Sequence, residues 1–348
     1  MLWILAALGV LLTLPVAGVL WMTSVPGQSH AGPLPPITPD QAQLSERLQE
    51  HVRAIASSPH NVGYPQELEQ AALYIETALT AMGYEVHQQA FQAGGQEVRN
   101  IEVVIEPAAS ATGAKTLVVG AHYDSYFHAP GANDNGTGAA GVIELAKLLR
   151  DLQRRATMRI RLVLFVNEEP PFFKTEFMGS LVYAKQLKAS GEPVLGMIAL
   201  ETLGFYSDEE HSQHYPPPLG LLYPTKGNFV AFVGLTSSRA FLRRLVGTFR
   251  ELVPFPSVGG TAPGIIPGID WSDHWSFDQV GIPALMITDT APFRYPHYHT
   301  SADSPDKVDY DRLARVVSGL GQVIRQWALE GTTSPRNQRA GAPPGIQT

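Results

Sequence analysis

Apolar positions recur along the chain with two different periods. From Asp40 to Ser57, Leu44, Leu48, Val52 and Ile55 fall at i, i+4, i+8 and i+11, and from Pro65 to Met82, Leu68, Ala72, Ile75 and Leu79 share one face. Both patterns predict amphipathic helices, the second stopped at Gly83. Beyond that point the pattern alternates. Tyr84 to Phe91, Val98 to Glu106, Thr116 to Gly120 (TLVVG), Ile160 to Val166 (IRLVLFV), Val194 to Leu200 (VLGMIAL), Asn228 to Gly234 and Ala284 to Ile287 read as strands. Thr137 to Leu149, Glu176 to Lys188, Ser238 to Val253 and Tyr310 to Ala328 read as helices. Short, nearly continuous apolar strands alternating with helices predict an α/β three-layer sandwich: a mostly parallel mixed central sheet with helices on both faces.

The same reading divides the chain. Leu2 to Met22 is apolar apart from Thr13, and about 20 such residues can span a bilayer as a helix. A signal peptide would carry Lys or Arg ahead of this run, and cleavage after Ala17 is opposed by Pro15 two places earlier. Residues 1–23 are therefore expected to be a membrane anchor, with a cleaved secretory signal as the alternative, and the domain is expected outside the cytoplasm. The proline-rich stretch 24–39 reads as a semi-rigid linker, 40–330 as a single domain, and the polar, Gly/Pro-rich tail 331–348 as disordered.

Composition narrows the chemistry. Hydrophobic residues make up 44% and charged residues 16% of the 348 positions, which fits one large folded domain. A net charge of −7 and a pI of 5.9, with no Lys/Arg-rich run, leave no basic face for nucleic acid. The absence of cysteine excludes disulfides, thiolate nucleophiles and Cys-ligated zinc, and leaves His and carboxylates as the strong metal ligands. No Gly-x-Ser-x-Gly elbow is present for a serine hydrolase.

Three of the apolar strands run into residues of that remaining kind. TLVVG leads to His122-Tyr123-Asp124, IRLVLFV to Glu168-Glu169, and VLGMIAL to Glu201. Ligands of open α/β sheets bind beyond the carboxyl ends of the strands, so these side chains are expected to converge. Asp124 could orient His122 or itself ligate. Adjacent carboxylates at 168 and 169 repel unless a cation compensates, and metal ligation by one beside general-base work by the other is a sensible division. Asp134 sits in a Gly-rich turn where it or Thr137 could equally cap a helix. His297 and His299 share a face if extended, and the residues alone do not choose between them. Asp273 and His274 could support the site, with a helix-cap role for Ser272 or Asp273 competing.

The ordered motifs GAHYDS, GANDNGTGA, FVNEE, ALETLGF, SDHWSF and YPHYHTSAD resemble the M28 family of zinc aminopeptidases over roughly Asp40 to Trp327. The resemblance implies two zinc ions, with His122, Asp134 as bridge, Glu169, Glu201 and His299 as ligands. It implies Glu168 as general base, Asp124 behind His122, a cis peptide bond at Asp134-Asn135, and peptide amino termini as substrate. Glu201 departs from the family, which most often has Asp there. Glutaminyl cyclases with a single zinc resemble the same pattern and are the nearest rival; a catalytically dead, membrane-anchored binding ectodomain is the other. The segment from Tyr206 to Lys226 is either a pocket-shaping or a plain surface loop, and Phe172, Phe173, Trp271 and Trp275 either line an apolar pocket or join the core.

Overall fold

A computed structural model describes residues 16–217 and 219–330. Its centre is an eight-stranded sheet in the order β1-β2-β4-β3-β5-β8-β6-β7. The strands are β1 (His87–Ala93), β2 (Gln96–Ile105), β3 (Thr116–His122), β4 (Arg159–Phe165), β5 (Val194–Glu201), β6 (Val230–Leu235), β7 (Ser257–Ala262) and β8 (Ala284–Thr288). β4, β3, β5 and β8 run parallel, while β1, β2 and the β6/β7 pair supply the antiparallel joins. The helices are α1 (Pro39–Ile55), α2 (Pro65–Ala81), α3 (Thr137–Leu149), α4 (Gly179–Ala189), α5 (Arg239–Leu252), α6 (His274–Gln279) and α7 (Tyr310–Leu329).

The continuous apolar strands are explained by burial on both faces. Leu117, Val119, Leu162, Leu164, Ile198 and Leu200 enter the core beneath α1, α3 and α7. Their neighbours Val118, Val163, Phe165, Met197 and Ala199 enter a second core with α4 and α6. Successive side chains of a strand point to opposite faces, so covering both faces leaves no polar register.

The first strand, expected over Tyr84 to Phe91, runs His87–Ala93, the helix expected from Glu176 starts at Gly179, and two elements appear that the pattern did not predict. β1 ends in a tight turn at Gly94-Gly95, both with positive φ (59° and 79°), which sets its pairing with β2. β7 (SVGGTA) contains two glycines and little apolar signal; it is held as an edge strand by β6. α6 has only six residues, too few for a helical period to register.

Residues 24–34, expected as a spacer, lie against the domain. Arg250 Nη1 donates to the Pro26 and Gly27 carbonyls at 3.2 and 3.0 Å, Ser257 N donates to Ser29 Oγ at 2.8 Å, and Val25 and Leu34 pack on the core. Among the described residues no helix is long and apolar enough to cross a membrane. Most of the expected anchor, residues 2–15, and the tail 331–348 lie outside the described residues.

Candidate metal centre

The site grows from three neighbouring parallel strands. His122 is the last residue of β3, Glu168 and Glu169 follow β4, and Glu201 is the last residue of β5, so the order β4-β3-β5 delivers all four to one crevice at the strand ends. Asp134 arrives from the turn before α3. Asn135 ties that turn to β5: its Nδ2 donates to the Leu200 carbonyl at 2.8 Å and its Oδ1 accepts from Gly138 N and Thr202 N. Gly138 is required there, because a Cβ would collide with the Leu200 carbonyl and the Asn135 side chain. The Asp134-Asn135 peptide is cis.

Asp134 faces both histidines, one with each oxygen. Oδ1 lies 3.4 Å from His122 Nε2 and Oδ2 lies 3.0 Å from His299 Nε2. Glu201 Oε2 is 3.4 Å from His122 Nε2, and Glu169 Oε1 is 3.5 Å from His299 Nε2. His122-Asp134-Glu201 and Asp134-Glu169-His299 are each close enough to share one cation. His299 is clamped between Tyr126 and Tyr298, whose ring centroids stack 3.7 and 3.8 Å away. His297 instead meets the Tyr295 ring edge-on.

Neighbouring groups fix these ligands. The Asp124 carbonyl accepts from His122 Nδ1 at 3.0 Å, the contact that, in the neutral imidazole, turns the lone pair of Nε2 towards the crevice to ligate. The Asp124 carboxylate, 3.6 Å from that nitrogen, instead accepts from Glu168 N and Glu169 N at 3.1 Å each. Thus Asp124 orients His122 through its backbone and the acid pair through its side chain. Ser272 Oγ donates to Glu201 Oε2 at 2.7 Å, a contact that suits the longer side chain at 201. His274 Nε2 donates to the Ile269 carbonyl at 2.8 Å and stays behind the crevice. Asp273 is wholly buried, with both carboxylate oxygens unpartnered.

Asp303, the last residue of YPHYHTSAD, is a further member of the site that no pattern in the sequence marks. Asp303 is buried and accepts from Asn133 N at 2.8 Å, Asp134 N at 3.1 Å and Tyr295 Oη at 2.9 Å. It therefore pins the Asp134 turn from the segment that carries His299. Its position four residues after His299 was the available signal, but one acid in a loop has no periodicity to mark it.

The electrostatics suit a cation. Burial raises Glu168 well above its ordinary value, His122 offsets part of this, and Glu169 and Glu201 add to it. Burial and then Asp134 push Glu169 up to about 8, and burial lifts Asp273 to about 7. Against burial, which would lower it, Asp134 and Glu169 hold His299 up at about 10. Carboxylates crowded in a dry crevice must borrow protons unless a metal replaces them. Within the crevice His122 Nε2, Asp134 Oδ2 and Glu169 Oε1 are buried without a hydrogen-bond partner, which is costly unless something else binds them. Imidazole nitrogen with carboxylate oxygen is a donor set that zinc accepts, so the residues fit the group.

Comparison with known proteins bears on the family and the fold. The sequence profile of Peptidase family M28 matches residues 100–324. An Escherichia coli (strain K12) protein described as "Uncharacterized protein YfbL" is 36% identical over 296 residues, covering 82% of this chain and 88% of that protein. Leucine aminopeptidase 1 of Arthroderma otae is 27% identical over 307 residues, covering 80% and 74% respectively. Among solved structures, the LapA aminopeptidase of Legionella pneumophila aligns with a TM-score of 0.65 at 17% identity, over 86% of this chain and 77% of that one. A glutaminyl cyclase from Fimbriiglobus ruber aligns with a TM-score of 0.59 at 18% identity, over 85% and 97%.

Proposed function

The chain belongs to peptidase family M28, and from that premise we propose that it is a zinc-dependent aminopeptidase, removing residues from the amino termini of peptides. The carrying observation is that Asp134 is shared by two ligand clusters, His122-Asp134-Glu201 and Asp134-Glu169-His299, an arrangement suited to a pair of zinc ions. Zinc held there supplies Lewis acidity towards the substrate carbonyl and lowers the pKa of water towards about 7.

The chain's own residues do the rest. Glu168, buried and 3.9 Å from His122 Nε2, stands beside the ligands without belonging to the pair that shares Asp134. It takes a proton from the attacking water and returns it to the leaving amine. Likeness to Leucine aminopeptidase 1 of Arthroderma otae, 27% identical over 307 residues, supports exopeptidase action. Phe173 and Trp271 line the crevice mouth, whereas Phe172 joins the core and Trp275 faces the Lys174 ammonium. Beside the crevice an apolar cavity, reached through Glu201, Trp271 and Tyr298, receives the side chain of the substrate's first residue. Leu219 and Tyr223 bring the 206–226 loop into its wall.

The test is turnover of Leu-p-nitroanilide beside a Gln-initiated peptide, in wild type and Glu168→Gln. Hydrolysis of the amide, lost by about 10²- to 10⁴-fold in the variant with zinc content kept, is expected. Ring closure of the Gln peptide without amide hydrolysis would replace the proposal with a glutaminyl cyclase. Full activity in Glu168→Gln would remove the assigned base.

A further inference from the structure

The apolar cavity beside the crevice has an unexpected far wall. β6, β7 and β8 contribute Phe232, Gly260 and Met286, the 206–226 loop contributes Tyr223, and Thr23 lines it beside Gly260 of β7, the edge strand three positions from β5, which ends at Glu201. Thr23 precedes the domain by some distance in sequence, at the end of the helical residues 16–23.

Its placement there is built by specific contacts. Arg239 Nε donates to the Trp21 carbonyl at 2.9 Å, and its guanidinium sits 4.2 Å from the Trp21 ring centroid. Arg243 donates to the Ser24 carbonyl. Cations on the last carbonyls of a helix satisfy groups that have no partner within it. Arg250 and Ser29 secure the following residues to α5 and β7. On the facing strand Gly260 makes room for Tyr223, whose Oη a Cβ there would approach to 2.6 Å, and Thr23 Cα lies at ordinary contact distance, 3.5 Å, from the same point. The Thr23 hydroxyl donates to the Val19 carbonyl at 2.9 Å, so the residue presents no unpaired donor to the cavity.

We propose that Thr23 sets the depth of the cavity that receives the substrate's first side chain, making the segment ahead of the domain part of the specificity pocket. The inference rests on the peptidase reading above. Its test is the ratio of kcat/KM for Leu-, Phe- and Ala-p-nitroanilide in the full chain, comparing wild type, Thr23→Ala and Thr23→Trp. One methylene in an apolar pocket is worth about 10- to 200-fold in discrimination.

Thr23→Trp is expected to lower the Leu/Ala ratio at least about tenfold, through KM rather than kcat, and Thr23→Ala to shift preference from Leu towards Phe. Opposite shifts from smaller and larger side chains would not follow from a merely structural contact. If Thr23→Trp fails to fold, the Thr23→Ala shift decides alone. Ratios unchanged within about twofold in every variant that folds overturn the inference while leaving the peptidase reading intact. Wild type inert towards all three amides overturns that reading and this inference with it.

Discussion

Asp303 shows how much of the site depends on groups that never touch the metal. Its two oxygens hold the backbone of Asn133 and Asp134 while Tyr295 steadies it from behind. Asp303→Asn keeps the size but replaces one acceptor with a donor aimed at a backbone N–H. Groups that orient ligands typically cost about 10- to 100-fold in metal affinity when changed. The variant is therefore expected to bind zinc about 10- to 100-fold more weakly with unchanged circular dichroism, read by competition with a chromophoric chelator. Equal zinc affinity would show that the Asp134 turn needs no such support. Ser272→Ala is expected to weaken zinc in the same direction and by less, because it frees one oxygen of Glu201 without moving a backbone.

At the scale of elements, α3 connects site and scaffold. Its Glu144 is fully buried, accepts from Arg47 Nε at 2.9 and 3.0 Å, and lies 3.2 Å from His51 Nε2 on α1. Burial pushes the Glu144 carboxyl up, but the hydrogen bonds from His51 and Arg47 outweigh it and hold the pKa below its ordinary 4.5. A carboxylate depressed in this way stabilises the fold above its unfolded pKa, and the contribution is lost as pH falls towards the folded value. Glu144→Gln is expected to cost about 3 kcal/mol at neutral pH by urea unfolding. That cost should shrink between about pH 5 and pH 3. A pH-independent difference would mean the ion pair contributes nothing. Gly138→Ala, which drives a methyl into the Leu200 carbonyl, should destabilise by about 1–3 kcal/mol and lower activity as the Asp134 turn moves.

These elements also show what the sequence made legible. The helix from Thr137 to Leu149 and the ends of β3, β4 and β5 could be read because burial on both faces imposes long apolar runs on the strands. Convergence of His122, the Glu168-Glu169 pair and Glu201 followed from the same rule. Asp134 and His299 could not be derived that way. They come from loops, and only folding brings them within reach of the strand ends; resemblance to the family supplied them. β7 escaped because a glycine-rich edge strand has almost no pattern, and α6 because a single turn and a half has no period. The double use of Asp124, carbonyl for His122 and carboxylate for two backbone amides, is a matter of angles and has no signature in residue types.

Across the whole molecule, the metal crevice and the apolar cavity lie side by side, sharing Glu201, Trp271 and Tyr298. In the function proposed, one supplies the acids and metal ligands and the other the shape that selects the substrate, and Thr23, ahead of the domain, lines the second. We propose that the crevice holds a pair of zinc ions around Asp134. The most direct measurement is zinc content per chain at neutral pH, by mass spectrometry of protein stripped with a chelator and then reloaded. Two zinc ions per chain are predicted for wild type, with Leu-p-nitroanilide hydrolysis lost on stripping and regained on reloading. A chain that takes up one zinc ion or none would contradict the account.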